Sequence, residues 1–538
     1  MQKQSPIPHL RRKGTATQLI VEGAPFLVIG GELHNSSSSS LRFMAPQWAK
    51  LKEMHLNTVL AAVTWELTEP EEGQFDFTLV DGLIQQARTH GLKLVLLWFG
   101  TWKNGLSNYA PAWVKKDSDR FPRVKAAGGA PLEILSAFAG STCEADCRAF
   151  ASLMRHLKGV DGEQHTVIMV QVENEVGVLG DSRDRSVSAE NAFNSQVPDT
   201  LIAPLKDESL DIGGDLLRLW EANGKQAAGN WENVFGEGAA TDELFMAWAY
   251  ASYIEKVTAA GKAEYELPMF VNAWLCSLDN GPGGVASGGQ KPGEWPSGGP
   301  LPHTLDVWQI VAPSIDFLAP DIYQPQFAEW CRRYVRRGNP LFIPEMHWND
   351  LAATQLFLPI GEHDAIGVSP FAIDSIEPEE ENRIQRSYDV LKQMAPLILE
   401  HQGAGKSFGF ILDEETPEVT RELGGFEMRV ILDEAFGQDA KRAGGLVIQI
   451  GEDTFIGAGF GFQIAFAVPG ETKVKAGILS IEEGNFVEGE WIAGRRLNGD
   501  EAGRGVHWRF LDFESPEGDL IANKQATGIS ICKLYRYW

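Results

Sequence analysis

The sequence predicts a (β/α)₈ barrel followed by a mostly antiparallel β-sandwich domain. Eight short apolar runs alternate with longer segments whose apolar residues fall at helical spacing. Most of these runs are continuously apolar, as strands buried on both faces require. After about residue 403 the pattern changes to short alternating runs broken by Gly and Asp. The first pattern is typical of parallel strands packed under helices, and the second of antiparallel sheets.

The eight candidate strands lie between residues 26 and 371. They cover residues 26–31, 57–65, 92–100, 166–174, 268–275, 316–323, 340–347 and 365–371. Residues 18–31 also contain two short strands around a Glu-Gly turn, and the last helix is predicted over residues 380–402. We therefore expect a barrel domain over residues 1–402 and a β-sandwich accessory domain over residues 403–538.

One connection of the predicted barrel, about residues 176–266, is far longer than the others. It contains Gly- and Asn-rich loops and at least two helical segments. Insertions after a barrel strand lie on the face formed by the carboxyl ends of the strands. We expect this one to shape a pocket there.

The charge of the chain limits its partners. The sequence has 47 Lys and Arg against 73 Asp and Glu, a formal net charge of −26. Such a surface repels phosphate backbones and anionic lipid heads, so we expect no nucleic-acid or membrane partner. The N-terminal residues 1–14 are not followed by an apolar run, so no intact signal peptide is predicted. The location is cytoplasmic as the sequence is written, or periplasmic or secreted if a leader has been removed.

The cysteines and glycines give no sign of a cofactor. The five cysteines, at positions 143, 147, 276, 331 and 532, have no regular spacing and no His set to complete a zinc site. No GxGxxG motif follows a strand and opens a helix, as dinucleotide binding would require. We therefore expect neither a metal nor an organic cofactor.

Two glutamates end predicted strands at opposite sides of the barrel mouth. Strand four ends in QVENE, which places Glu175 at its tip, and strand seven ends in IPEMHW, which places Glu345 there. Cleavage of a glycosidic bond needs two such carboxyl groups, one to protonate the leaving oxygen and one to attack or to activate water. Barrel closure would bring this pair together. Glu173 competes with Glu175, but it lies one layer deeper in the same strand.

Polar and aromatic residues at the other strand ends predict a pocket for a small polyhydroxylated ligand. The candidate binding residues are Glu32, His34, Asn35, Trp65, Glu66, Trp102, Lys103, Asn104, Glu173, Asn174, Asn272, Trp274, Tyr323 and Trp348. Trp98 and Asp321 also lie near strand ends. We expect Glu173 to orient sugar hydroxyls or neighbouring groups and Asn174 to bind the sugar 2-hydroxyl. Tyr323 is expected to donate a hydrogen bond to Glu345.

Four motifs resemble those of family-35 glycoside hydrolases. They are GGELHNS at 30–36, LNTVLAAVTWELTEPEEGQFDF at 56–77, QVENEVG at 171–177 and IPEMHW at 343–348. The resemblance covers roughly residues 20–400, and the later part is similar to a β-rich domain of a bacterial subgroup. It implies a retaining β-galactosidase with Glu175 as acid/base and Glu345 as nucleophile. The substrate would be a small oligosaccharide or glycoside with a terminal β-D-galactosyl residue.

Several alternatives stay open from the sequence. GELHN and VTWELTEP depart from the family pattern at positions that contact the cleaved sugar, so a β-glucosidase, an α-L-arabinopyranosidase or a transglycosylase on the same barrel is also compatible. A different class is a catalytically silent carbohydrate-binding barrel, although binding alone needs no carboxylate pair. The C-terminal part is either a packing domain or a carbohydrate-binding module, and homo-oligomer formation is left open.

Overall fold

The computed structural model describes residues 6–207, 209–278, 288–379, 382–435, 438–470, 473–497, 499–503, 505–511 and 527–538. The strands up to residue 368 are β1 (His9–Lys13), β2 (Ala16–Val21), β3 (Ala24–Phe26), β4 (Val28–Glu32), β5 (Thr58–Thr64), β6 (Lys93–Phe99), β7 (Arg123–Lys125), β8 (Pro131–Leu135), β9 (Val167–Val172), β10 (Met269–Trp274), β11 (Phe317–Ile322), β12 (Phe342–Ile343), β13 (Glu345–Met346) and β14 (Gly367–Val368). β1, β2 and β3 form a small antiparallel sheet before the barrel.

The barrel is a closed ring of parallel strands. β4, β5, β6, β9, β10, β11 and β13 pair in that order, and β12 pairs with β14, which pairs with β4. β12 and β13 are the two halves of the seventh strand, interrupted at Pro344. Each half pairs with a different neighbour, so this strand closes the ring. The predicted (β/α)₈ barrel is confirmed.

Both faces of the barrel strands are buried, which explains their continuously apolar sequences. In β5, Leu60 packs with the apolar residues of the barrel interior, whereas Val59 and Val63 pack under the helices. β5 alternates between these two apolar surroundings, so its sequence carries no polar face. Gly367 is required in β14, because a Cβ there would lie 2.3 Å from the Cβ of Val28.

The helices surround this ring. They are α1 (Leu41–Met44), α2 (Gln47–Glu53), α3 (Trp65–Thr68), α4 (Thr78–Thr89), α5 (Ala112–Lys116), α6 (Gly140–Asp161), α7 (Val187–Phe193), α8 (Asp199–Leu205), α9 (Gly214–Ala222), α10 (Trp231–Phe235), α11 (Ala239–Glu264), α12 (Leu305–Val311), α13 (Phe327–Tyr334), α14 (Asp350–Gln355), α15 (Phe357–His363) and α16 (Arg383–His401), with 3₁₀ turns at Ser37–Ser39, Ile373–Ser375 and Gly499–Ala502. Among the described residues, no helix is both long and apolar enough to cross a membrane.

The long connection after β9 divides into two parts. α7, α8, α9 and α10 are short and form the excursion itself. α11 then runs for 26 residues and packs along α6, in the position of an ordinary barrel helix. The region that departs from the barrel plan is therefore shorter than the 176–266 connection predicted from sequence.

The chain beyond residue 406 forms two antiparallel sheets. Its strands are β15 (Ser407–Asp413), β16 (Glu418–Leu423), β17 (Phe426–Leu432), β18 (Glu434–Ala435), β19 (Gln438–Asp439), β20 (Arg442–Gly451), β21 (Thr454–Phe460), β22 (Phe462–Ala467), β23 (Lys475–Val487), β24 (Glu490–Leu497), β25 (Trp508–Phe510) and β26 (Ile529–Tyr537). The order β15-β20-β21-β26-β23-β24 makes one sheet and β16-β17-β22-β25 the other. This agrees with the predicted antiparallel β structure.

The six-stranded sheet is buried on both sides at its centre. Val447 and Phe455 face the core between the two sheets, whereas Leu446 and Ile448 join the core that continues under the barrel helices. α15 packs on β15 and β20 at this boundary. The shared apolar surface fixes the sheets against the barrel.

Candidate active site

Glu175 is held at the end of the fourth barrel strand by its neighbours on both sides. Its φ is 45°, a left-handed backbone conformation that costs energy for any residue with a side chain. Its N–H donates to Asn272 Oδ1 at 2.9 Å, and its carbonyl oxygen accepts from Gly105 N–H at 3.0 Å. Two flanking segments of the barrel thus fix the backbone that presents this carboxyl.

Glu345 begins the second half of the interrupted seventh strand. Tyr323 O–H donates to its Oε2 at 2.9 Å, and Asn174 Nδ2 lies 3.4 Å from its Oε1. Lys103 Nζ lies 3.9 Å from the same Oε1. Donors from three other strand ends therefore surround this carboxylate.

The two glutamates converge as the sequence predicted. Glu175, Asp321 and Glu345 are buried, and each offers a carboxyl oxygen within 4.8 Å of the others. In glycoside hydrolases the two catalytic carboxyls stand about 5–5.5 Å apart for direct attack and about 6.5–9.5 Å apart when a water must fit between them. Oxygens of Glu175 and Glu345 that approach within 4.8 Å leave less room between the two carboxyls than the second arrangement needs.

The two carboxyls differ in their surroundings. Burial and the nearby Glu345 raise the pKa of Glu175 to about 8, against the opposing effects of Lys103 and a hydrogen bond with Asp321. Glu175 therefore keeps its proton at neutral pH and can donate it. Glu345 is the carboxyl that receives Tyr323 O–H and lies beside Lys103.

Two further carboxyls face the same space. Burial and then Glu345 raise the pKa of both Glu32 and Asp321 well above their ordinary values. Neither oxygen of Glu32 has a hydrogen-bond partner among the described residues. Asp321 Oδ2 accepts from Asn272 Nδ2 at 2.7 Å. Glu32 and Asp321 thus keep carboxyl oxygens that are available to a polar ligand.

Asp321 belongs to the site, although the sequence pattern does not distinguish it from other polar residues near strand ends. The trio of Glu175, Asp321 and Glu345 is also the one group among the described residues spaced to hold a metal ion. It contains no His or Cys, and Lys103 lies 3.9 Å from one of its members. Its donor set is therefore hard oxygen only, in a place where the protein already supplies a cation.

Glu173 lies beneath the site rather than in it. It is fully buried, and its two oxygens accept from Thr101 N–H at 3.0 Å and Trp102 N–H at 2.7 Å. Both oxygens are thus taken by the backbone that follows β6. Of the two expected roles, the structure gives Glu173 the orientation of neighbouring groups and not contact with sugar hydroxyls.

Trp65 and Trp102 are not platforms for a sugar ring, contrary to the sequence prediction. Both are fully buried. The indole N–H of Trp65 donates to Glu69 Oε2 at 2.8 Å, and that of Trp102 donates to the Leu135 carbonyl at 3.0 Å. Their rings pack on other aromatic rings. Each strand end continues into structure that covers the indole, so neither ring offers a face to a ligand.

Asn104 has a conformational place in the turn after Lys103. Lys103 and Leu106 exchange backbone hydrogen bonds across the turn, and Asn104 and Gly105 have φ values of 53° and 64°. Asn-Gly is the usual pair for a tight turn with two positive φ angles. This turn sends Lys103 toward Glu345 and Gly105 N–H toward Glu175.

The remaining predicted residues divide between the site and its edge. Trp274 is paired in register with Asp321, and its indole N–H is buried without a partner among the described residues. Asn35 and Glu66 line a separate cleft of about 280 Å³ beside α4. His34 is exposed and bonds Ser375 Oγ at 2.7 Å, and Trp348 is 49% exposed. Within the described part of the chain, these last four residues make no hydrogen bond or ion pair with Glu175 or Glu345.

Two family models match separate parts of the chain. A family model described as "Beta-galactosidase", that of glycoside hydrolase family 42, matches residues 40–203. This part of the chain is β-galactosidase-like. A domain of unknown function, DUF5597, matches residues 384–509. The match to family 42 includes Glu175 and ends before Glu345.

A β-galactosidase from Xanthomonas manihotis is 29% identical over 187 residues, which are 32% of this chain and 27% of that protein. The chain thus matches little more than a quarter of that relative's length. The β-galactosidase from Rahnella sp. R3 is 16% identical with a TM-score of 0.44, over 70% of this chain and 57% of that one. The β-amylase catalytic domain from Paenibacillus polymyxa is 13% identical with a TM-score of 0.45, over 64% and 92%.

The expected membership of family 35 is not supported, because the family model that matches is that of family 42. Two of the motifs that resemble family 35, residues 56–77 and 171–177, lie within the part that the family-42 model matches, so they do not separate the two families.

Proposed function

We propose that this protein is a retaining exo-β-galactosidase of the family-42 type. Glu175 serves as acid/base and Glu345 as nucleophile. The observation that carries the proposal is the pair of buried carboxyls with oxygens within 4.8 Å, one protonated at neutral pH and one contacted by Lys103 and Tyr323. The family-42 match and the Xanthomonas manihotis relative support galactose as the sugar.

In the first step, Glu345 attacks the anomeric carbon of a terminal β-galactosyl residue. A carboxylate oxygen forms an ester bond to that carbon while the glycosidic C–O bond breaks. Glu175 gives its proton to the departing oxygen. Tyr323 and Lys103 hold the attacking carboxylate in one place, which favours the geometry of attack.

In the second step, Glu175 accepts a proton from water, and the water oxygen attacks the same carbon. The ester bond breaks, Glu345 leaves as a carboxylate, and Glu175 regains the proton it needs for the next cycle. Two displacements at one carbon restore the β configuration. Asn174 precedes Glu175 in the chain, and its Nδ2 lies 3.4 Å from Glu345 Oε1. This supports our proposal that Asn174 binds the 2-hydroxyl, a contact that strengthens in the transition state.

The buried oxygens around the dyad favour cleavage of a terminal residue. Glu32, Asp321 and the two glutamates all lie at the mouth of the barrel, where the strands end, and are at most 4% exposed. A single terminal sugar ring that enters the barrel mouth would satisfy the hydrogen-bonding capacity of these groups. A glucoside or an α-L-arabinopyranoside differs from a galactoside at few positions, so these substrates remain the alternatives.

The test is a panel of nitrophenyl β-galactoside, β-glucoside, β-fucoside and α-arabinopyranoside with four proteins. These are the wild type, Glu175→Gln, Glu345→Gln and, as a matched control, the exposed Glu163→Gln. We expect the highest wild-type kcat/KM for the galactoside, full activity in the control and loss of turnover in Glu345→Gln. Absence of hydrolysis of every glycoside by the wild type would overturn the proposal in favour of a binding barrel.

A further inference from the structure

A second pair of acids lies beneath the dyad. Asp146, on α6, is fully buried and shares a hydrogen bond with the Glu173 carboxyl. Trp98 Nε1 donates to Asp146 Oδ1 at 2.9 Å, while Tyr253 O–H donates to Oδ2 at 3.1 Å. Two carboxyls in contact away from water cannot both ionise easily, so burial raises the pKa of both, and the charge of Asp146 raises that of Glu173 further.

The acid pair holds one short segment of backbone from two directions. Thr101 O–H donates to Asp146 Oδ2 at 2.8 Å, and Thr101 N–H donates to Glu173 at 3.0 Å. The backbone at the preceding Gly100 packs too closely on this cluster to carry a side chain, because a Cβ there would lie 2.3 Å from Trp98 Nε1 and 2.5 Å from Glu173 Oε1. The segment after β6 is therefore fixed by groups behind it.

This segment leads directly to Lys103. Its Nζ lies 3.9 Å from Glu345 Oε1 and 4.9 Å from the centre of the Phe99 ring. Burial disfavours its ammonium form, but the surrounding carboxylates, Glu345 first among them, outweigh this effect and raise its pKa. Lys103 is thus a cation held beside the dyad. Its position depends on the backbone of Thr101, two residues before it.

We propose that Asp146 is a positioning residue for the reaction, which through Glu173 and Thr101 fixes the segment that delivers Lys103 to Glu345. The inference rests on the proposed function of the dyad. Asp146 itself is separated from the substrate space by Glu173 and the backbone of residues 100–102. It acts on the chemistry through the place of Lys103.

The proposal has a consequence for pH dependence that fold stability alone would not produce. Glu175 faces Glu345, Lys103 and Asp321, and Lys103 opposes the rise of its pKa. If Lys103 recedes, the pKa of Glu175 rises further. Loss of Asp146 should therefore move the basic limb of kcat/KM to higher pH.

The helix that carries Asp146 also supplies a matched control. Asp161, at the other end of α6, is 1% exposed. It accepts from Thr166 N–H at 3.0 Å and Val167 N–H at 2.7 Å and pairs with Arg88 at 2.7 Å. Asp161 thus binds the chain where β9 begins, whereas Asp146 lies near the carboxyl ends of the strands. Asp161→Asn should lower the melting temperature without moving the pH profile.

The experiment measures kcat, KM and the pH profile on nitrophenyl β-galactoside, with melting temperatures, for the wild type, Asp146→Ala, Asp146→Asn and Asp161→Asn. We expect Asp146→Ala to lose on the order of 100-fold in kcat, since small misplacements of catalytic groups cost about this much. Its basic limb should move up. Asp146→Asn, whose amide can donate to Glu173, should restore most of kcat.

Three results would overturn the proposal while leaving the proposed function intact. One is an Asp146→Ala variant with normal kcat and an unchanged pH profile. Another is an Asp161→Asn variant whose basic limb of kcat/KM moves as far as that of Asp146→Ala. If Asp146→Ala does not fold, Thr101→Val replaces it, because that change removes the hydroxyl bond to Asp146 without altering side-chain size. The third result that would overturn the proposal is a basic limb of kcat/KM that does not shift in Thr101→Val. A wild type that hydrolyses no glycoside would instead contradict the proposed function.

Discussion

Tyr323 donates a 2.9 Å hydrogen bond to Oε2 of Glu345 from the neighbouring barrel strand. Asp321 and Glu345 are paired in register, so the strand of Tyr323 runs directly beside the seventh strand. Burial and the charge of Glu345 raise the pKa of Tyr323 well above its ordinary value. The phenol therefore stays protonated, and it remains a donor throughout the pH range in which the enzyme would work.

Removal of this hydroxyl should slow the chemical step. We expect Tyr323→Phe to lower kcat on nitrophenyl β-galactoside by about 100-fold, as loss of one donor to a reacting oxygen commonly does. Tyr265→Phe is the control, because Tyr265 O–H bonds His165 at 3.1 Å far from the dyad. Equal losses of kcat in both variants would show that the hydroxyl contributes only stability.

The leaving group should separate the roles of the two glutamates. Glu175→Ala is expected to retain substantial turnover of dinitrophenyl galactoside, whose phenolate leaves without a proton, and to lose turnover of lactose. Azide should partly restore its rate and give a β-galactosyl azide. Glu345→Ala should be inactive on both substrates. If Glu173→Ala shows the azide rescue and Glu175→Ala does not, Glu175 has been assigned wrongly.

The pH dependence of kcat/KM should show its basic limb near the pKa of Glu175, about 8. Above that pH the carboxyl has lost the proton that the leaving oxygen needs. The groups are coupled, so the limb reports the cluster as a whole. Glu175→Gln on an activated aryl galactoside should lose this limb. A limb that persists unchanged in that variant would assign proton donation to another group.

Stability should fall as the pH rises, because buried acids with raised pKa values favour the folded state only while protonated. For Glu32 and Glu175 the folded pKa lies above the unfolded value of about 4.3, so their contribution is complete below that value and is lost as the pH rises through the folded pKa. Glu32→Gln should melt at a higher temperature than the wild type at pH 9 and show a smaller difference at pH 5. An equal difference in melting temperature between Glu32→Gln and the wild type at pH 9 and at pH 5 would contradict this.

Much of the barrel could be predicted from sequence because its signal is local and repeated. Each strand is a short apolar run, and each helix has its own apolar spacing. The interruption at Pro344 was not predicted, since the closing strand pairs with a different neighbour on each side of it. That arrangement depends on the geometry of closure and leaves no pattern in residues 340–347.

The catalytic pair was accessible for the same reason: strand ends of a barrel meet at one face. The sequence did not show in which direction a side chain points or whether neighbouring structure buries it. Trp65 and Trp102 stand at strand ends like any platform residue, but the structure that follows each strand buries them. Asp146 lies in the second turn of α6 between Ala145 and Cys147, and nothing in its local sequence indicates a partner in Glu173.

The most direct test of the account is to trap the covalent intermediate. Wild-type protein is incubated with dinitrophenyl 2-deoxy-2-fluoro-β-galactoside, and the labelled peptide is identified by mass spectrometry. In parallel, proton NMR follows the anomer first released from nitrophenyl β-galactoside. We expect one fluorogalactosyl group on Glu345 and release of the β-anomer. A label on another residue, or first release of the α-anomer, would contradict it.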